Sequence, residues 1–201
     1  MAAYNPKDFY YKKAKSENYA ARSVFKLEEI QKKHRILKPG MRVLDLGCAP
    51  GSWSQYTSTV IGDSGFILGL DLSPVGFTLA NAKFLEADAF DSALLQKNME
   101  ELGLKLFDVV LSDMAPKTIG IRMADQERSI VVSREALRIA SEFVAPGGHF
   151  VVKIFQGGEI KNFQLEAKEF FEQVHIERPK SVRKESFELY VVCLKRRRTP
   201  K

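Results

Sequence analysis

The sequence predicts an α/β layer sandwich, a mostly parallel sheet covered on both faces and finished by an antiparallel edge. Three observations carry that expectation. Short runs rich in branched apolar residues alternate with longer stretches of helical period. The first run, Met41 to Leu46, breaks into the small-residue loop Gly47-Cys48-Ala49-Pro50-Gly51, and a helical segment follows from Ser52. Near the C-terminus the alternation stops: Val174 to Ile176 and Leu189 to Leu194 read as two strands with no helix between them, which pair antiparallel.

Each element has its own reason. Residues 1–20 are polar, basic and aromatic (Tyr4, Lys7, Phe9, Tyr10, Tyr11, Lys12, Lys13, Lys15, Tyr19) and lack a clear period. Ser23 is placed to cap a helix whose Val24, Leu27 and Ile30 form one apolar stripe, with Lys26 off that stripe. Pro39-Gly40 closes this leader and admits the first strand. Residues 52–61 read as a helix stopped by Gly62, and Phe66 to Leu70 as a second strand closed by Asp71. Lys83 to Glu86 is a short third strand leading into Asp88, and residues 91–102 a helix ending at Gly103. Phe107 to Leu111 is a fourth strand, closed by Ser112-Asp113. Residues 125–144 carry a long helical pattern that ends before Pro146-Gly147-Gly148. His149 to Phe155 is a fifth strand containing Lys153, and residues 163–173 form the last helix. Repeated strand–helix alternation implies right-handed crossovers and one Rossmann-like domain.

Composition narrows the partners. The 201 residues suit one well-packed domain, and the net charge of +6 points to a polyanion. Only Cys48 and Cys193 are present, in no CxxC pair, so the reading expects reduced thiols and no metal or disulfide. No run is long enough to span a membrane and no N-terminal apolar segment resembles a signal peptide; the expectation is a cytoplasmic protein away from membranes. His34, His149 and His175 are scattered and read as structural or surface residues.

The Gly loop then asks for a ligand. A nicotinamide site would show G-x-G-x-x-G, but only Gly47 and Gly51 are glycine here, and Pro50 removes an N–H that a pyrophosphate would use. Asp71 follows about twenty residues after the loop, where a carboxylate can accept from ribose hydroxyls. Asp88 closes the third strand, within reach of an adenine amino group. A strand-ending Asp is often only a turn former. Four of them, Asp45, Asp71, Asp88 and Asp113, beside one Gly loop point to a nucleoside without phosphates and with a positive centre. S-adenosylmethionine fits that description.

Five separated motifs carry a family resemblance. They are Tyr19 to Leu27, Gly47 to Tyr56, Ser112-Asp113-Met114-Ala115-Pro116, Phe150 to Gly157, and Ser186-Phe187-Glu188-Leu189-Tyr190. In this order, over about residues 9–195, the chain resembles the FtsJ/RrmJ RNA 2′-O-methyltransferases. The resemblance implies a leader over 1–21 and a methyltransferase domain over 22–201. It implies a catalytic tetrad of Lys26, Asp113, Lys153 and Glu188, with Lys153 as proton acceptor. It also implies S-adenosylmethionine contacts from Gly51, Trp53, Asp71, Asp88 and Asp113. The chain departs from the family pattern at Ser52, at Asp71-Leu72-Ser73-Pro74, and at Ala89, where an aromatic beside the adenine is common. The implied acceptor is a ribose 2′-OH of RNA, a uridine of the large ribosomal subunit, with a monomeric enzyme. The leader Asp8 to Lys15 looks closer to archaeal and eukaryotic relatives, some of which modify tRNA, and this keeps tRNA as the alternative.

Contacts to RNA are expected on the leader, on Lys180 to Lys184 and on the tail Lys195-Arg196-Arg197-Arg198. Aromatics interleaved with basic residues suit stacking plus phosphate contact. A small-molecule methyltransferase would need no such basic surface. A non-catalytic RNA-binding or assembly protein would tolerate a broken tetrad, and here all four members are present.

Overall fold

The structure is a computed structural model, and it describes residues 9–199. Its elements run α1 (Phe9–Ser16), α2 (Val24–His34), β1 (Arg42–Leu46), α3 (Ser52–Ile61), β2 (Phe66–Asp71), β3 (Ala82–Glu86) and α4 (Ser92–Glu101). They continue with β4 (Phe107–Ser112), α5 (Arg122–Phe143), β5 (Val144–Phe155), α6 (Ile160–Phe170), β6 (Phe171–Glu177) and β7 (Glu188–Arg196). The strands form one sheet in the order β3-β2-β1-β4-β5-β7-β6. β1 to β5 pair in parallel, while β7 runs antiparallel to both β5 and β6 and separates them.

Strand alternation makes two cores. Leu44, Leu68, Val110, Phe150 and Val152 face α4, α5 and α6, where Leu95, Ile139 and Phe163 meet them. Val43, Ile67, Leu111, Val151 and Tyr190 face the other way, onto Leu27 and Ile30 of α2 and Trp53 and Ile61 of α3. Burial of side chains this size is worth about 1.5–3 kcal/mol each, so the sheet is fixed from both sides. The carboxyl ends of β1 and β4 are neighbours, and the chain order reverses between them. That switch point is where an open α/β sheet takes its ligand.

Several boundaries differ from the sequence reading. The leader is not patternless: α1 lays Tyr10 and Ala14 against Phe25, and Tyr19 joins them. With a single buried residue in eight, no period could be visible. Tyr4, Lys7 and Asp8 lie outside the described residues. Ser23 has helical φ and ψ and makes no side-chain cap. Its hydroxyl pairs with that of Ser52 at 2.8 Å, tying α2 to α3. The last helix starts three residues earlier than expected and stops at Phe170, because Phe171 already pairs with Arg196. Val144 pairs with Phe107 ahead of the Pro-Gly-Gly turn, so the fifth strand is counted from there.

Candidate active site

Four chain segments close a cleft of about 370 Å³ at the switch point. Gly47 and Ala49 after β1, Asp71 and Leu72 at β2, Asp88 to Phe90 after β3, and Asp113 to Ala115 after β4 line it. Val132 of α5 closes one wall. Gly47 has φ +70, and a Cβ there would stand 2.1 Å from Met114 Cγ, so only glycine allows this turn beside that side chain. Asp71 braces the loop by accepting from Ala49 N at 2.9 Å and from Ser73 N at 2.8 Å. Asp88 accepts from Phe90 N at 2.9 Å. The Asx-turn role and the cleft-wall role therefore coexist in the same two residues. Each carboxylate oxygen has a second lone pair for a ligand hydroxyl.

The lining holds three carboxylates and no Lys or Arg, beside the apolar side chains of Ala89, Phe90, Met114 and Val132. That chemistry fits a cationic nucleoside and opposes a phosphate-bearing one, so the residues present fit S-adenosylmethionine. Of its expected contacts, Asp71, Asp88 and Asp113 line the cleft. Gly51 and Trp53 stand outside this lining. Gly51 is the N-cap of α3 at φ +104, packed under Phe77 and Val75. Trp53 is buried against Tyr190 and donates to the Ser23 carbonyl at 2.9 Å. Phe90 is a wall residue that sequence reasoning missed; it stands one position after Ala89, where an aromatic was sought.

Asp45 corrects the expectation of four converging carboxylates. It lies one residue before the strand end, paired in register with Gly69 and Leu111, and its side chain enters the layer under α3. Only 2% exposed, it accepts from Ser54 Oγ at 2.6 Å. Burial pushes its carboxyl up to about 7; the Ser54 hydrogen bond opposes that, and the Asp113 and Asp71 charges add to it.

Beside the cleft the structure brings Lys26, Asp113, Lys153 and Glu188 together from α2, the end of β4, β5 and β7. Lys153 Nζ is 3.1 Å from Asp113 Oδ1 and also donates to the Asp113 main-chain carbonyl. Lys26 Nζ is 2.6 Å from Glu188 Oε1. Tyr190 joins them: its hydroxyl donates to Asp113 Oδ1 at 2.6 Å, and its ring lies under Lys26 Nζ at 5.8 Å. Tyr190 pairs in register with Lys153, and that pairing is set by the reversed strand β7, which periodicity does not reveal. Burial alone would raise the Asp113 carboxyl, but the Lys153 and Lys26 ammoniums and the hydrogen bonds from Tyr190 and Lys153 hold it below the usual carboxylate value. The Tyr190 phenol is pushed well up, first by burial and then by Asp113 and Glu188. Asp113 thus belongs to both the acidic cleft and the lysine cluster.

The other singled-out residues lie apart. Cys48 and Cys193 are free and buried. His34 bonds Glu177 at 2.8 Å, His149 Nδ1 accepts from Lys195 N at 3.2 Å, and His175 is exposed. Among the described residues no group of His, Cys, Asp and Glu could hold a metal ion, and no helix is long and apolar enough to cross a membrane.

Solved structures share this architecture. An Aeropyrum pernix fibrillarin, solved with bound S-adenosyl-L-methionine, matches in fold with a TM-score of 0.53 at 19% identity, over 79% of this chain and 68% of that one. A Plasmodium falciparum protein provisionally assigned as a ribosomal RNA methyltransferase matches with a TM-score of 0.79 at 28% identity, over 89% of this chain and 98% of that one. Fold and cleft together place the chain among the Rossmann-like methyltransferases. Residues 19–196 match the FtsJ-like methyltransferase family, and the chain belongs to it. A Bdellovibrio bacteriovorus relative, "Ribosomal RNA large subunit methyltransferase E", is 50% identical over 194 residues, covering 96% of this chain and 99% of its own. A Syntrophobacter fumaroxidans protein of the same name is 46% identical over 198 residues, covering 98% and 100%.

Proposed function

We propose that the chain transfers a methyl group from S-adenosylmethionine to a ribose 2′-OH of large-subunit ribosomal RNA, at a uridine. The observation that carries this is Asp113, which is both a wall of the acidic cleft and the partner of Lys153. The relatives named for ribosomal RNA methylation, matched over nearly their whole length, support the substrate. The reading makes the protein a cytoplasmic monomer that meets RNA through its basic segments.

S-adenosylmethionine supplies a methyl group already activated by its sulfonium. Asp71, Asp88 and Asp113 would hold it, the first two accepting from hydroxyl and amino groups and the third facing the positive centre. The protein's remaining task is to place the hydroxyl in line and take its proton. The resting Lys153 ammonium gives two of its three N–H groups to Asp113 Oδ1 and the Asp113 carbonyl, and release of the third proton to solvent leaves the amine. The lone pair is what remains for the 2′-OH proton, which moves to Nζ as the oxygen gains its methyl. Lys26, held by Glu188, stands beside the same carboxylate and keeps it ionised. Orientation of this kind is worth roughly 7–11 kcal/mol and exceeds the ~10²–10⁴-fold typical of general-base help.

The test is methyl transfer to purified large ribosomal subunits and to tRNA, with the modified nucleotide mapped. The expected product is a 2′-O-methyluridine in the large-subunit RNA. Methylation of tRNA alone would move the substrate to the alternative, and a methylated base in place of ribose would overturn the reading.

A further inference from the structure

The connection from β6 to β7, residues 178–187, contains neither helix nor strand, yet it delivers Glu188 to Lys26. Ten residues of irregular chain have a large conformational freedom, which works against a carboxylate that must stand at one place. α2 holds the segment at two points. Glu29 accepts from Lys180 N at 2.7 Å through Oε2 and from Ser181 N at 2.9 Å through Oε1. Three residues earlier, on the same helix face, Lys26 grips Glu188 at 2.6 Å. Arg22, just ahead of α2, donates to the Ser181 carbonyl, and Val182 is buried in the core under α2. Within the connection, Arg178 donates to the Ser186 carbonyl at 2.7 Å. The gripped segment then carries Arg183 and Ser186 as one wall of a second cleft of about 370 Å³, whose other wall is Arg22, Ser23 and Lys26.

We propose that Glu29 is a positioning residue for methyl transfer: by fixing residues 180 and 181 it sets where Glu188, and through it Lys26, stand beside Asp113 and Lys153. The proposal rests on the reading of that cluster as the RNA-methylating centre. A carboxylate suits the task because two converging N–H groups need two acceptors, and the charge strengthens both bonds. Glutamine has the same shape but one acceptor oxygen, and it presents an NH₂ to the other amide. Glu29→Gln therefore releases one grip without opening space.

The experiment uses the full chain as wild type, Glu29→Gln, Glu188→Gln and the double variant, with large ribosomal subunits and labelled S-adenosylmethionine. Expected is a fall in kcat of about tenfold for Glu29→Gln at saturating RNA, the scale of a small misplacement, with the dissociation constant for S-adenosylmethionine unchanged. The double variant should be no slower than Glu188→Gln alone, because the two residues act through one element. An unchanged kcat for Glu29→Gln, or effects that multiply in the double variant, overturns the proposal. Amide hydrogen exchange supplies a readout that needs no RNA: residues 180–187 should exchange at least about tenfold faster in Glu29→Gln, with the rest of the sheet unchanged. Unaltered exchange there overturns the proposal even in an active enzyme. Faster exchange in a chain that methylates no RNA shows the grip to be real and overturns the reading of the cluster instead.

Discussion

In the proposed mechanism the chemistry turns on Lys153. It sits 9% exposed at the carboxyl end of β5, where an ammonium without a partner would be costly to bury. Asp113 supplies that partner through two oxygens, and Tyr190 fixes the carboxylate from the other side. Lys153→Ala should lower the single-turnover rate at saturating RNA by about 10²–10⁴-fold. S-adenosylmethionine affinity should change little, since Lys153 does not line that cleft. A turnover near wild type would remove Lys153 from both proton transfer and orientation. The motifs made this residue legible, because Lys153 stands inside an apolar run where a lysine needs a reason. Tyr190 was not legible: its hydroxyl matters only because β7 is reversed and sets it opposite Lys153. Lys26 and Glu188 alone would pass for ordinary surface charges; the motif match singles them out, and the fold brings them to 2.6 Å.

At the scale of elements, the strand-to-helix loop after β1 shapes the cofactor cleft through Gly47. Gly47→Ala forces a Cβ to 2.1 Å from Met114 Cγ at φ +70, so Met114 must shift across the cleft it lines. The expected result is a loss of S-adenosylmethionine affinity of about tenfold or more, from roughly 1–2 kcal/mol of backbone and contact strain. Gly103→Ala is the control: φ is +65, but nothing lies within 4 Å of its Cβ. It should lower stability by a similar amount and leave affinity alone. Titration calorimetry with S-adenosylmethionine separates the two, and equal affinities for both variants would sink the argument. Strands and helices with strong periods were readable in the sequence, since two-sided burial writes continuous apolar runs. What was not readable depends on tertiary partners: α1 exists because Phe25 receives Tyr10 and Ala14, and the α6–β6 boundary is set by Phe171 pairing with Arg196.

At the scale of the whole molecule, the carboxylates collected at one sheet edge couple its stability to pH. Asp45 and Asp113 are shifted in opposite directions and act in different windows. Asp113 lies below its usual value when folded, so it adds stability above about pH 4 and loses it in acid. Asp45 is raised from 3.8 to about 7 in the folded chain. Below its unfolded value it is protonated in both states and has no effect. As the pH climbs toward 7, the unfolded chain releases this proton while the folded one keeps it, so stability falls. The loss is complete above the folded value and is on the order of 4 kcal/mol, by about 1.4 kcal/mol per unit. Asp45→Asn keeps an oxygen for the Ser54 hydroxyl and removes the charge. In urea unfolding, the variant should gain stability relative to wild type by a few kcal/mol between about pH 4.5 and pH 8, with most of the change before pH 7. A difference that stays constant across that range would mean that Asp45 titrates normally and that Ser54 and the sheet leave it open to water. The predicted slope instead marks Asp45 as the buried carboxyl that underlies the cleft, while Asp71, Asp88 and Asp113 form its acidic wall.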